Sequence, residues 1–141
     1  MDNLEKVKKF FEDDRFATET AEISICDAGE NTAVCRFIPV KKHLNAAGVC
    51  MGGAIYTLAD FCFAVAANYS DIISESGTVT QTVNSDISYL SAAKEGIELI
   101  AEAKCIKRGW TTCCYEISVS EKESEKIIAI AVINGIIISR K

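Results

Sequence analysis

The order of apolar periodicities along the chain predicts an α+β fold, in which one antiparallel sheet curls around a single buried helix. A short helical pattern is followed by two strand patterns, then by one long run at helical spacing that is apolar on both faces, then by four more strand patterns. A length of 141 residues fills one core and rarely two, so a single domain over 1–141 is expected. With 49% hydrophobic and 25% charged residues and one proline, the composition shows no linker or disordered tract.

Asp2 is placed to cap a helix over residues 3–12, where Leu4, Val7, Lys8 and Phe11 fall at helical spacing among Glu5, Lys6 and Lys9. In 20–27, apolar Ala21, Ile23 and Ile25 alternate with Glu22 and Ser24. Gly29, Glu30 and Asn31 then punctuate a second strand over 32–40, a hairpin pattern. A loop over 41–51 leads to Gly52 and Gly53, which open a helix to about residue 69. Ile55, Leu58, Ala59, Cys62 and Ala66 form one face of it, and Phe61, Phe63, Val65 and Ala67 make the other face apolar too. A helix of that kind must be covered on nearly every side, so the remaining strands are expected to wrap it.

After a loop at 70–77 come strand patterns over 78–90, 97–108, 111–121 and 126–139. Short turns at 93–96, 109 and 122–125 predict that consecutive strands lie side by side and antiparallel. Residues 127–138 lack clean alternation, which predicts cover on both faces: the helix on one, a second copy of the chain on the other.

A formal net charge of −5 argues against general nucleic-acid binding, which needs surplus Lys and Arg against phosphates. The N-terminus alternates charges and lacks the apolar stretch of a secretory signal, and neither apolar run is long and uncharged enough for a membrane span, so a cytoplasmic protein is expected. The seven cysteines form no Cys-x-x-Cys pair, which points to neither a disulfide framework nor a metal site; they read mostly as small core residues.

Between Ala54 and Tyr69 the only charged residue is Asp60, two turns into a helix that otherwise looks like core. Burying a carboxylate is costly unless a function or a partner uses it, so Asp60 is either a catalytic acid or a structural group that caps nearby backbone or faces solvent through a gap. Just ahead, Gly48, Gly52 and Gly53 permit close approach of backbone to a ligand. The start of a helix also offers unpaired N–H groups to a developing negative charge, so Gly52 and Gly53 read as an oxyanion hole or as a tight loop-to-helix turn.

The run from His43 through Asn45, Gly48, Met51, Gly52 and Gly53 to Asp60 resembles the signature of the hotdog-fold acyl-CoA thioesterases of the phenylacetic-acid-degradation (PaaI-like) family. The later segment Ile87-Ser88-Tyr89-Leu90-Ser91 resembles that family's third strand, and the element order agrees over nearly the whole chain. The resemblance implies a hotdog fold, about six antiparallel strands around one long central helix with a short N-terminal helix. It implies hydrolysis of an acyl- or aryl-CoA thioester to free acid and CoA, with CoA as part of the substrate and no separate cofactor or metal. It further implies Asp60 as general base or nucleophile, the Gly52 N–H on the thioester oxygen, Asn45 orienting water or substrate, and Thr82 as a helper hydroxyl. The site would lie between subunits of a homo-oligomer, a dimer or a dimer of dimers (homotetramer), with Asn45 and Gly52 from one chain and Asp60 from the other.

One position departs from the family: a histidine commonly precedes the glycine pair, and here Met51 stands there, able to shape an acyl pocket but not to donate a hydrogen bond. His43, the only histidine, either lines the pocket or is structural. Lys107 and Arg108 sit at a turn where related enzymes hold the nucleotide end of CoA, or are ordinary surface cations; Trp110 beside them is read as an adenine platform, a subunit contact or a partly buried strand-start aromatic. Two alternatives follow. Met51 suggests a hotdog protein that binds acyl-CoA without hydrolysing it, and the fold also serves hydratases, which pair a histidine with the acid.

Overall fold

The computed structural model describes residues 1–139. Helix α1 spans Asn3–Phe11 and helix α2 spans Gly52–Ser74. Six strands follow the order β1 (Ser24–Gly29), β2 (Thr32–Phe37), β3 (Thr78–Tyr89), β4 (Leu99–Arg108), β5 (Thr112–Glu121) and β6 (Ile127–Ser139). Asp2 caps α1 as expected, accepting the Glu5 N–H at 2.8 Å. The strands form one antiparallel sheet in the order β1-β2-β4-β5-β6-β3, wrapped around α2 in the hotdog arrangement. No helix among the described residues is long and apolar enough to cross a membrane.

The sheet order corrects one expectation. β3 does not lie beside β4; it pairs along its length with β6, while β4 pairs with β2. The segment between β3 and β4 is a crossing loop rather than a hairpin turn: Ala93 accepts the Cys50 N–H at 2.7 Å and Gly96 donates to the Pro39 carbonyl at 2.8 Å, which ties the loop to the far end of β2. Both β1 and β3 are therefore sheet edges.

Smaller differences have local causes. β1 begins at Ser24 rather than residue 20, because Phe16–Thr20 form one turn of π-helix closed by Ala21 N–H on the Phe16 carbonyl, and Glu22 has φ 58°, which no strand admits. Ala21 and Ile23 are nonetheless buried, so their apolar spacing serves the core without a strand ladder. Helix α2 runs five residues past the expected end, to Ser74, and stops on Glu75 in the left-handed conformation at φ 53°.

The core lies between α2 and the concave face of the sheet. Rows of small side chains cross several strands in register: Ala33 of β2 faces Ala103 of β4, which faces Ile117 of β5, which faces Ala131 of β6. Small residues let the helix sit close, and the Cys62 thiol donates to the Ala33 and Ala101 carbonyls at 3.5 Å. Leu58, Phe63 and Val65 are fully buried on the helix, each contributing about 1.5–3 kcal/mol by leaving water. Of the seven cysteines, Cys35, Cys50, Cys62 and Cys113 are buried, whereas Cys26 is an exposed extra residue at a bulge in β1. On the outer face of β6, Val132, Ile136 and Ile138 remain between 37% and 39% exposed, so this chain alone covers only one face of that strand.

Gly135 of β6 shows how tightly the helix is seated. A Cβ there would stand 2.8 Å from the Phe63 ring and 3.0 Å from the Cys113 sulfur and the Thr80 methyl. Gly135→Ala is expected to cost about 1–3 kcal/mol through overpacking, read as a lowered urea midpoint with unchanged slope.

Candidate active site

Helix α2 lies antiparallel to β3 along a polar seam at helix positions 52, 56, 60 and 68, which follow a four-residue ridge that winds slowly around the helix because four residues make slightly more than one turn. The Tyr89 hydroxyl donates to the Gly52 carbonyl at 2.9 Å, and the Tyr56 and Ser85 hydroxyls are 2.7 Å apart. Thr82 donates its hydroxyl to Asp60 Oδ1 at 2.8 Å. Asn68, buried, accepts the Thr80 N–H at 2.8 Å and donates to the Thr80 carbonyl at 3.1 Å and to the Ala64 carbonyl at 2.9 Å.

A strand shows alternate residues to one face, yet Thr80 and Thr82 are even-numbered while Ser85 and Tyr89 are odd. A bulge reconciles them. Thr82 pairs with Gly135 and Asn84 with the adjacent Asn134, so Val83 is an extra residue that switches the parity of β3.

Asp60 is half-buried, and Ala59 and Phe61 on either side of it are buried. Burial raises its pKa above the usual 3.8 and the nearby Asp14 carboxylate adds to the rise, while the Thr82 hydrogen bond opposes both. No cation pairs with it among the described residues. A carboxyl group raised on folding favours the fold while protonated and loses that contribution as pH climbs through its folded-state value. Asp60→Asn is thus expected to be more stable than the parent at pH 7, with the gap closing on acidification toward 3.8, as thermal melts across pH will show.

The loop before α2 is built by its own polar groups. Asn45 Oδ1 accepts the Ala47 and Val49 N–H groups at 2.9 and 3.3 Å, and Gly48 turns the chain at φ 83°. His43 is buried between backbone segments: Nδ1 accepts the Val40 N–H at 3.0 Å, which leaves Nε2 to donate to the Thr20 carbonyl at 2.9 Å. Both ring nitrogens are thereby committed, and the structure gives His43 a structural place rather than one in a pocket.

Met51 is 56% exposed and occupies the cap position of α2 without a side-chain hydrogen bond, and no acceptor among the described residues takes the Gly52 or Gly53 N–H. Gly52 borders a cavity of about 370 Å³ that Ile55, Tyr89 and Leu90 also line, with the Gly53 amide next in the chain; the two open amides lie at the helix start. They carry the partial positive charge of a helix start, suited to an oxyanion. Eight residues separate Gly52 from Asp60, about 12 Å of helix rise, so one chain cannot bring that amide and that carboxylate to the same atom.

The remaining candidates divide. Arg108 turns inward, donating to the Ala67 carbonyl at 3.1 Å, the Tyr115 hydroxyl at 3.2 Å and the Thr80 hydroxyl at 3.3 Å, with Asp71 at 3.6 Å. Its two terminal nitrogens are engaged by the fold. Lys107 is exposed beside a small cavity with Val83 and Asn134, and Trp110 is 97% exposed rather than partly buried. Tyr56 and Asn68 are marked in the sequence only by multiples of four residues from Asp60 along the helix, and Tyr89, on β3, bears no sign there of its bond to Gly52.

Residues 47–128 match the thioesterase superfamily. An Archaeoglobus fulgidus protein named "Putative esterase" is 35% identical over 91% of this chain and 79% of its own length. Human acyl-coenzyme A thioesterase 13 is 26% identical over 89% of this chain and 86% of its own. In fold, the Escherichia coli PaaI protein from the phenylacetic acid degradation operon superposes with a TM-score of 0.87 at 24% identity, covering 99% of this chain and 95% of that one. The Streptococcus mutans protein smu.793 bound to acetyl CoA superposes with a TM-score of 0.75 at 24% identity, over 84% and 91% of the two chains. With the superfamily match spanning more than half its length, and a hotdog sheet around a helix that carries the matching glycines and Asp60, the chain belongs to the thioesterase superfamily.

Proposed function

We propose that this chain is a cytoplasmic acyl-CoA thioesterase, hydrolysing an acyl- or aryl-CoA thioester to the free acid and CoA. The observation that carries the reading is the division of α2 into an uncapped start with two open amides and, two turns on, a half-buried carboxylate held by one hydroxyl. Seven free cysteines suit a reducing compartment.

The chemistry asks little more. Asp60 takes a proton from water as the oxygen adds to the thioester carbon, or attacks that carbon itself. The carbonyl oxygen becomes negative and is received by the Gly52 N–H with the Gly53 N–H beside it; collapse breaks the C–S bond and releases the CoA thiolate, which takes up a proton. Where Asp60 itself has attacked, water then hydrolyses the anhydride between the acyl group and Asp60 to the free acid and restores the carboxylate. Asn45 orients the attacking group from the loop it organises, while Gly53 and Met51 border the acyl end. Lys107 remains free to meet a CoA phosphate.

The assembly is a homo-oligomer with the site between protomers. β3 is a free edge, and two such edges pairing about a two-fold axis would run their α2 helices in opposite directions, bringing the Gly52 end of one toward the middle of the other. The gap of about 12 Å within one chain makes this second copy necessary for the chemistry.

Asp60→Asn is expected to cut turnover about 10²–10⁴-fold with the oligomer intact. Thiol release from a broad panel of acyl-CoA esters is the assay; parent-level turnover in that variant rejects the assigned role, and tight binding without release by the parent chain favours the non-catalytic reading that Met51 suggests. Co-refolding Asp60→Asn with Asn45→Ala, each inactive alone, should restore activity, because mixed pairs contain one intact site; no recovery would place both groups in one chain. Thr82→Val removes the bond that lowers the Asp60 pKa, so the acid limb of kcat/KM should move to higher pH.

A further inference from the structure

We infer that Tyr89 is a positioning residue for the oxyanion-binding amides, and that its ring disfavours any side chain at position 52. The inference rests on the thioesterase reading for its catalytic part, and on the fold alone for its steric part.

The Gly52 carbonyl and the N–H of Gly53, the second of the two open amides, belong to one planar peptide unit, so a bond that fixes the carbonyl direction fixes the direction of that N–H beside the Gly52 amide. The Tyr89 hydroxyl donates to that carbonyl at 2.9 Å from across the seam. A carbonyl oxygen has two lone pairs, which lets Gly52 accept from Tyr89 while still serving the first helical turn. A bond received at the oxygen also polarises the amide and makes its N–H a stronger donor. The capping residue, Met51, supplies no such restraint, so the brace comes from β3 instead.

The same side chain explains the glycine. Gly52 has no left-handed φ that would demand it. A Cβ at position 52 would instead stand 3.2 Å from the Tyr89 ring and 3.4 Å from its hydroxyl, and the ring is tied to that very residue by its hydrogen bond. Gly53 differs, since a Cβ there meets nothing within 4 Å. Of the two glycines, only the first is crowded by a neighbour, and that neighbour is also the brace.

Tyr89→Phe keeps the ring and deletes the hydroxyl. It should lower kcat on the order of tenfold, less than the roughly 10²–10³-fold cost of losing an oxyanion donor itself, with KM within about twofold and the acid limb unmoved. An unchanged kcat, or a loss confined to KM, overturns the catalytic part. For the steric part, Gly52→Ala is made in the parent and in Tyr89→Leu, and stability is followed by urea denaturation. A smaller penalty beside Leu than beside Tyr supports the inference, and equal penalties reject it. The denaturation cycle needs no substrate, so it tests the contact between Tyr89 and position 52 even where no thioester is cleaved, and the two failures are told apart.

Discussion

A helix that is apolar on every side has no preferred rotation about its own axis, and hydrophobic burial, being non-directional, cannot supply one. What orients α2 is the line of polar contacts to β3, because hydrogen bonds have direction and lose most of their strength when misaligned. Asn68 is the most demanding of them. Its amide meets both backbone groups of Thr80 in a buried setting, where any rotation of the helix would leave three groups unsatisfied. From that anchor the fourfold spacing carries the alignment back through Asp60 to Gly52, so the carboxylate and the open amides inherit their directions from one constraint.

The seam also sets a balance between folding and chemistry. Thr82 gives Asp60 a single hydrogen bond where a structural carboxylate in a similar setting would gather several or a cation. One bond keeps the charge tolerable without satisfying it, which leaves the second carboxylate oxygen without a bond from the seam. Arg108 shows the contrast within the same fold: four partners surround its two terminal nitrogens.

Much of this was legible in the residues. The element order, the buried helix and the lone acid at Asp60 follow from periodicity and charge, and the glycine pair marks the helix start. Strand adjacency was not legible, because short connections suggest neighbours and say nothing of a loop tied instead to Pro39 and Cys50. Thr82 came into view only through likeness to a family, and Tyr89 as a partner of Gly52 not at all, since the bulge at Val83 breaks the alternation by which strand faces are assigned. For His43 and Arg108, residue type suggested a ligand, and only the three-dimensional partners reveal that the fold already uses them.

The extra residue in β3 has a bearing on assembly. An exposed edge of regular alternation is an open template on which further strands can add without end. Here the edge is split into two stretches out of phase with each other, and a stranger's strand that fits one stretch is offset against the next. The flaw in the ladder thereby guards the edge against indiscriminate stacking.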